Sequence, residues 1–147
     1  MKIFLGADHN GFELKEQLEK WLKAEGYNVH DEGDATYNPD DDFPQYAGRV
    51  VNAMLASDDH AKGILICGSG QGMCMAANRY KGIRASLVWN ESEAVSSRND
   101  DDSNVLCLPA KEMTFKKAQN LVSDWLNTPF AGAARFVRRI KEMDKLT

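Results

Sequence analysis

Cysteine is scarce in this chain: Cys67, Cys74 and Cys107 are the three in 147 residues. An odd number without paired spacing excludes a disulfide framework. No C-x-x-C occurs, and the three histidines, His9, His30 and His60, are scattered, which excludes a zinc module. No apolar run approaches the length of a membrane span. Met1-Lys2-Ile3-Phe4-Leu5 runs straight into Gly6-Ala7-Asp8 without the regions of a signal peptide, so a cytoplasmic location is the expectation. Excess positive charge is missing too: 18 basic against 22 acidic residues leave a net charge of -4. That argues against a nucleic-acid-binding surface while leaving room for a local basic pocket. Internal repeats, linkers and low-complexity segments are absent as well.

What is present is the balance of an ordinary globular domain, 43% hydrophobic and 27% charged. The length suits one domain, residues 1–147, with a real core. Short apolar runs alternate with amphipathic stretches. Strands are expected at Lys2–Ala7, Tyr27–His30, Gly63–Cys67, Arg84–Val88 and Asn104–Leu108. Between them lie helical patterns. Phe12–Glu25 carries Leu14, Leu18, Trp21 and Leu22 on one face and stops at Gly26. A helix begun near Pro44 carries Tyr46, Val50, Val51, Met54 and Leu55 inward. Met73–Arg79, Glu91–Arg98 and Thr114–Leu126 follow, and a last helix has Phe136, Val137, Ile140 and Met143 on one side. Gly63-Ile64-Leu65-Ile66-Cys67 is apolar throughout, as expected of a strand covered on both faces. The pattern predicts an α/β fold: a three-layer αβα, Rossmann-like sandwich around a five-stranded parallel sheet.

Sites in such sheets lie beyond the carboxyl ends of the strands. Four segments are expected there: Asp8-His9-Asn10-Gly11, Gly68–Gly72, Asn90-Glu91, and the loop before Asn104. In Cys67-Gly68-Ser69-Gly70-Gln71-Gly72, alternate glycines let the backbone approach a ligand, and successive N–H groups form an anion-binding nest. No Lys follows the last glycine, so it is not a P-loop, and its spacing misses the dinucleotide fingerprint. Cys67 sits where a helix N-terminus favours thiolate, which fits a base or nucleophile. From position alone, a small buried apolar residue fits equally well. Cys74 and Cys107 read as core.

Asp8-His9 is either a site pair or a turn in which Asp8 or Asn10 caps the next helix. His30 and His60 read as structural. Arg135 and Arg139, one turn apart on the last helix beside Arg138, share a face that suits phosphate. The acidic run Asp40-Asp41-Asp42 reads as a solvated loop.

Gly6-Ala7-Asp8-His9-Asn10-Gly11-Phe12-Glu13-Leu14-Lys15 resembles the opening motif of the type B ribose-5-phosphate isomerases. Their superfamily also holds the galactose-6-phosphate isomerase subunits. Gly63 to Met73 with Ala76-Ala77-Asn78 resembles their central motif, and Gly82-Ile83-Arg84-Ala85 and Asn104-Val105-Leu106 their next blocks. The resemblance implies a homodimer whose sites are completed by the partner chain's C-terminal helix. Further pairing into a tetramer is left open. It implies aldose–ketose isomerisation of a phosphorylated sugar through a cis-enediolate, without metal or other cofactor. Cys67 corresponds to the base, Ser69 to the hydroxyl that relays protons, and Gly68, Gly70 and Gly72 to the enediolate cradle. Asp8 corresponds to a sugar-hydroxyl contact and His9 to a phosphate contact. Arg135 and Arg139 correspond to the partner's phosphate-binding arginines.

Departures are visible. Asp100-Asp101-Asp102-Ser103-Asn104 stands where H-N-D-A-N is usual. Asp100 thus replaces the ring-opening histidine, and Asp101 the asparagine that helps hold the enediolate. Lys111 replaces a phosphate-contacting arginine, Phe43 a tyrosine, and Phe136 a histidine. The expected substrate is ribose 5-phosphate, with Asp100 opening the ring. A tetrose 4-phosphate such as erythrulose 4-phosphate, which needs no ring opening, is the alternative, beside a hexose 6-phosphate or a non-catalytic sugar-phosphate-binding protein. A receiver-like signalling domain is disfavoured, because Cys67 stands where receivers need an aspartate.

Overall fold

In the computed structural model, which describes residues 1–57 and 60–147, five parallel strands lie in the order β2-β1-β3-β5-β4. They are β1 (Lys2–Ala7), β2 (Asn28–Asp31), β3 (Lys62–Cys67), β4 (Ala85–Leu87) and β5 (Val105–Pro109). The helices are α1 (Phe12–Ala24), α2 (Phe43–Leu55), α3 (Gln71–Ala77), α4 (Glu91–Asn99), α5 (Phe115–Asn127) and α6 (Ala134–Met143).

Alternation along the strands sorts the core into two layers. Ile3, Leu5, Ile64, Ile66, Leu106 and Leu108 join Leu14, Leu18, Leu121 and Trp125 on the side of α1, α4 and α5. Phe4, Leu65, Cys67, Val105 and Cys107 face the other way, onto Tyr46, Val50, Val51 and Met73 of α2 and α3. The three-layer reading therefore holds. No helix among the described residues is long and apolar enough to cross a membrane.

Most expected boundaries fall within one or two residues. The helix after the glycine loop starts earlier, at Gln71, and ends at Ala77. A 3₁₀ turn at Ala110–Glu112 had no signal in the pattern. Leu55 and Met143, expected inward, are 53% and 41% exposed. Both lie at helix ends, where the buried stripe runs off the sheet.

The loop before Asn104 is a correction. It does not lie beyond strand carboxyl ends. It joins α4 to the start of β5, and the Asn104 carbonyl accepts from Gly63 N–H (3.0 Å) near the start of β3. In a β-α-β unit only the loop entering the helix sits at the carboxyl end. The loop leaving it returns to the amino end.

β1 and β3 are neighbours, with Ala7 opposite Ile66. The chain leaves β1 into α1 on one face and β3 into α3 on the other. The two connections diverge and leave a crevice at the shared carboxyl end, the topological switch point.

Candidate active site

Asp8 continues the ladder one residue past β1, its N–H donating to Ile66 O at 3.2 Å. It is therefore level with Cys67 on the next strand, about 4.8 Å away across the sheet. Its Oδ1 accepts from Asn10 N–H (3.0 Å) and Gly11 N–H (3.2 Å). The capping reading thus holds for Asp8 without excluding a site role. Burial pushes its carboxyl above the usual range, and the bond from Gly11 offsets part of this. Gly11 is needed here, because a Cβ would lie 2.7 Å from Ile66 O.

The turn after β3 is built around Gly70, at φ +73°. A Cβ there would lie 2.5 Å from Leu87 Cδ1 and 3.1 Å from the Leu108 carbonyl carbon. Ser69 Oγ accepts from Gln71 N–H at 3.4 Å, which keeps the hydroxyl on the turn. Lys111 is carried in by the 3₁₀ turn. Its N–H donates to Gly68 O (3.0 Å), and its side-chain stem lies 3.0 Å from where a Gly68 Cβ would stand. The Phe43 ring packs on Gly72. Cys67 is 5% exposed, its side chain in the layer of α2 and α3.

His9 is held by a residue that the pattern left as solvent-facing. Asp41 Oδ1 accepts from His9 N–H at 3.1 Å and lies 2.7 Å from His9 Nδ1. The Asp41 side chain is only 5% exposed. This hydrogen bond raises the imidazole pKa, with Asp8 and Asp40 adding to it and desolvation opposing. Lys15, fully buried, was also missed. Its ammonium bonds Asp31, Glu16 (2.7 Å) and Asp34 O (3.2 Å). Lys15 closes the opening motif, but nothing local marks its burial, and Asp41 lies in an ordinary charged stretch.

Other candidates are structural. Asn90 Oδ1 caps α4 through Glu93 N–H (2.9 Å). His30 stacks on Phe4, with ring centroids 5.1 Å apart. Cys107 is buried, and Cys74 is half-buried beside it.

Asp8, His9 and Asp41 bring ligating atoms within 4.8 Å of one another, as do Glu16, Glu19 and Asp31. In the first group His9 and Asp41 are hydrogen-bonded to each other, while Asp8 accepts from the Asn10 and Gly11 N–H groups. In the second, the Lys15 ammonium bonds both Glu16 and Asp31.

Within one chain the fold thus gathers Asp8, His9, Cys67, Gly68, Ser69, Gly70, Gly72 and Lys111. Asp100, Asp101, Arg135 and Arg139 lie at the other end of the sheet. Asp100 Oδ1 accepts from Asn99 (2.7 Å), and Asp101 O accepts from Arg84 Nε (3.0 Å). Ala131 N–H donates to Asn99 O (3.0 Å), which brings the chain into α6 on that side. β3 and β5 run in register from Gly63–Val105 to Cys67–Pro109, so about 13 Å of strand separates the two ends. A cleft of about 450 Å³ lies at the amino end, lined by Arg84, Asp101, Ser103 and Leu146 among others.

The model of the ribose/galactose isomerase family matches residues 3–143. The chain belongs to that family. A probable ribose-5-phosphate isomerase B of Mycoplasma genitalium is 40% identical over 141 residues, 96% of this chain and 92% of its own. The crystal structure of a ribose 5-phosphate isomerase from Thermotoga maritima superposes with a TM-score of 0.93 at 40% identity, covering 98% of this chain and 97% of that one. The Mycoplasma genitalium ribose-5-phosphate isomerase B with bound ribulose-5-phosphate gives 0.94 at 39% identity, over 99% and 95%. Family membership thus covers both ends of the sheet, the glycine turn and α6 alike.

Proposed function

We propose that this chain interconverts ribose 5-phosphate and ribulose 5-phosphate, with Cys67 as the base. The observation that carries the proposal is the level placement of Asp8 and Cys67 at the switch point, beside the Gly68–Gly72 turn and the Lys111 cation. The Cys67 thiolate takes the proton from C2 of the open-chain aldose. Negative charge moves to O1, where main-chain N–H groups of the turn stabilise it. Ser69 passes the O2 proton to O1. The Cys67 thiol then returns its proton to C1, and the ketose results. Asp8 holds sugar hydroxyls, while His9 and Lys111 face the phosphate.

The remaining groups come from a second copy in this reading. α6 is mostly exposed: Arg135 and Arg139 are open to solvent, and Val137 and Ile140 are only half-buried. In a two-fold dimer the amino end of one sheet would deliver the partner subunit's Arg135, Arg139, Asp100 and Asp101 to the crevice of the other. Asp100 then opens the furanose ring. Asp101 then lies near the enediolate, where an ionised carboxylate would repel the forming charge unless it is protonated or turned away. The reaction is placed in the cytoplasm.

A second reading is favoured by Asp100 itself. A tetrose 4-phosphate cannot close to a furanose and needs no histidine there. Steady-state kinetics on ribose 5-phosphate and erythrulose 4-phosphate separate the two, and turnover of the tetrose alone would overturn the first. In the wild type, deuterium from solvent should enter the carbon next to the carbonyl. Cys67→Ala should abolish both exchange and turnover while keeping ligand affinity. Exchange that survives in Cys67→Ala removes the thiolate from the mechanism. Absence of exchange in the wild type with any pentose, tetrose or hexose phosphate favours a non-catalytic binding protein.

A further inference from the structure

Three consecutive aspartates, Asp40, Asp41 and Asp42, precede α2, yet they do not share one environment. Asp40 and Asp42 face solvent, while the Asp41 side chain is withdrawn to 5% exposure. Withdrawing a carboxylate from water is unfavourable unless donors replace the water. His9 supplies two: its main-chain N–H at 3.1 Å and its ring Nδ1 at 2.7 Å, on the same oxygen. One atom therefore pins both the backbone and the ring.

The loop that carries Asp41 is itself tied down. The Tyr46 hydroxyl donates to Asp34 Oδ2, and Arg49 lies 3.5 Å from Asp34 Oδ1. The Lys15 ammonium holds Asp31 and the Asp34 carbonyl at the start of the loop. Tyr46 also reaches toward Asp41 from α2.

We infer that Asp41 is the positioning residue of His9, locking Nδ1–H onto its own carboxylate so that in the imidazolium Nε2–H is the ring donor left for the phosphate end of the substrate. The orientation of one ring nitrogen is set by the partner of the other. What His9 grips rests on the sugar-phosphate reading above, whereas what Asp41 does to His9 does not.

The charged groups facing the ring are Asp8 from its own loop and Asp41 and Asp40 from the acidic loop, all negative. The raised imidazole pKa follows. The His9–Asp41 attraction is fully present below the ordinary imidazole value of about 6.5. It is lost as pH rises through the higher folded value, so anion binding should weaken only there.

The test is an NMR titration of the ligand-free protein, with His30 and His60 as internal controls. In Asp41→Asn the His9 midpoint should fall while theirs stay, and Asp41→Glu should recover part of the shift. The KM for ribose 5-phosphate at pH 7.5 should rise about tenfold in Asp41→Asn, the worth of one hydrogen bond to a charged group. The change in kcat should be smaller. An unmoved His9 midpoint overturns the inference. So does a moved midpoint with an unmoved KM in an active enzyme. Should Asp41→Asn fail to fold, wild-type imidazole ¹⁵N shifts above the titration decide: the Nδ1–H tautomer is expected, and the Nε2–H tautomer refutes it. If the wild type turns over no sugar phosphate, the functional reading fails while the titration still judges the dyad.

Discussion

Gly70→Ala should damage this protein more than its one added methyl suggests. At φ +73° an alanine costs about 1–2 kcal/mol from the left-handed backbone alone. The new Cβ also meets Leu87 Cδ1 at 2.5 Å and the Leu108 carbonyl carbon and Pro109 nitrogen at 3.1 Å. The leucine tip can rotate away. The backbone of β5 cannot, and overpacking of this kind adds about 1–3 kcal/mol. With the leucine relaxing, the sum is about 3 kcal/mol. Against a stability of about 5–15 kcal/mol that is a large loss. It should lower Tm by about 6–12 °C in a domain of this size. Gly82→Ala is the matched control: φ is +80°, but a Cβ there meets nothing within 4 Å. Only the backbone part remains, about 1–2 kcal/mol. Urea unfolding of both variants, compared at equal m, isolates the contact. If Gly70→Ala is no less stable than Gly82→Ala, the end of β5 does not press on the turn, and the packing account of the cradle is wrong.

Two further outcomes follow from buried charge. Lys15→Met removes an ammonium from Asp31, Glu16 and the Asp34 carbonyl. The two carboxylates are 20% and 46% exposed and can rehydrate, so the loss should be about 2–3 kcal/mol, below the 3–5 typical of a fully buried pair; a loss under about 1 kcal/mol by urea unfolding would contradict it. Asp8→Asn should unfold at the same or a higher temperature than wild type at pH 7.5, with the gap closing toward pH 4.5. A carboxyl raised by burial favours the folded state only as pH falls toward its pKa and opposes it above. Its kcat/KM for ribose 5-phosphate should drop, and a lower Tm at pH 7.5 would refute the reasoning.

Where the chain's chemistry is periodic, the sequence was readable. β1 fell on Lys2–Ala7 as expected, and α1 began at Phe12, because strand and helix periods differ and Gly26 marks a stop. The glycine turn was legible because few other contexts need that spacing. Strand order was not. β5 lies between β3 and β4, and nothing local to Val105–Pro109 distinguishes a central strand from an edge. β4 was expected at five residues and forms three, as a half-buried edge strand does. Asp41 was invisible for a different reason. Its burial depends on His9, 32 positions away, so its neighbours Asp40 and Asp42 gave it the wrong context. Asp100 and Asp101 were placed beside the glycine turn by motif, whereas direction along the sheet puts them at the opposite end.

That opposite placement makes the two-copy site testable without a structure of the pair. In the proposed two-fold dimer each crevice would take Cys67 from one chain and Arg139 from the other. Homodimers of Cys67→Ala lack the base in both crevices, and homodimers of Arg139→Ala lack the guanidinium in both. A mixed dimer concentrates both lesions in one crevice and leaves the other whole. Random exchange makes half the dimers mixed, each with one intact site, so activity should recover to about a quarter of wild type. The assay is turnover of ribose 5-phosphate after mild dissociation and remixing, with each variant alone as baseline. Were both groups to come from one chain, no combination could assemble an intact site, and the mixture would show only the average of its parents. The fold already weighs against that case, because about 13 Å of β3 and β5 separates the ends on which the two groups stand.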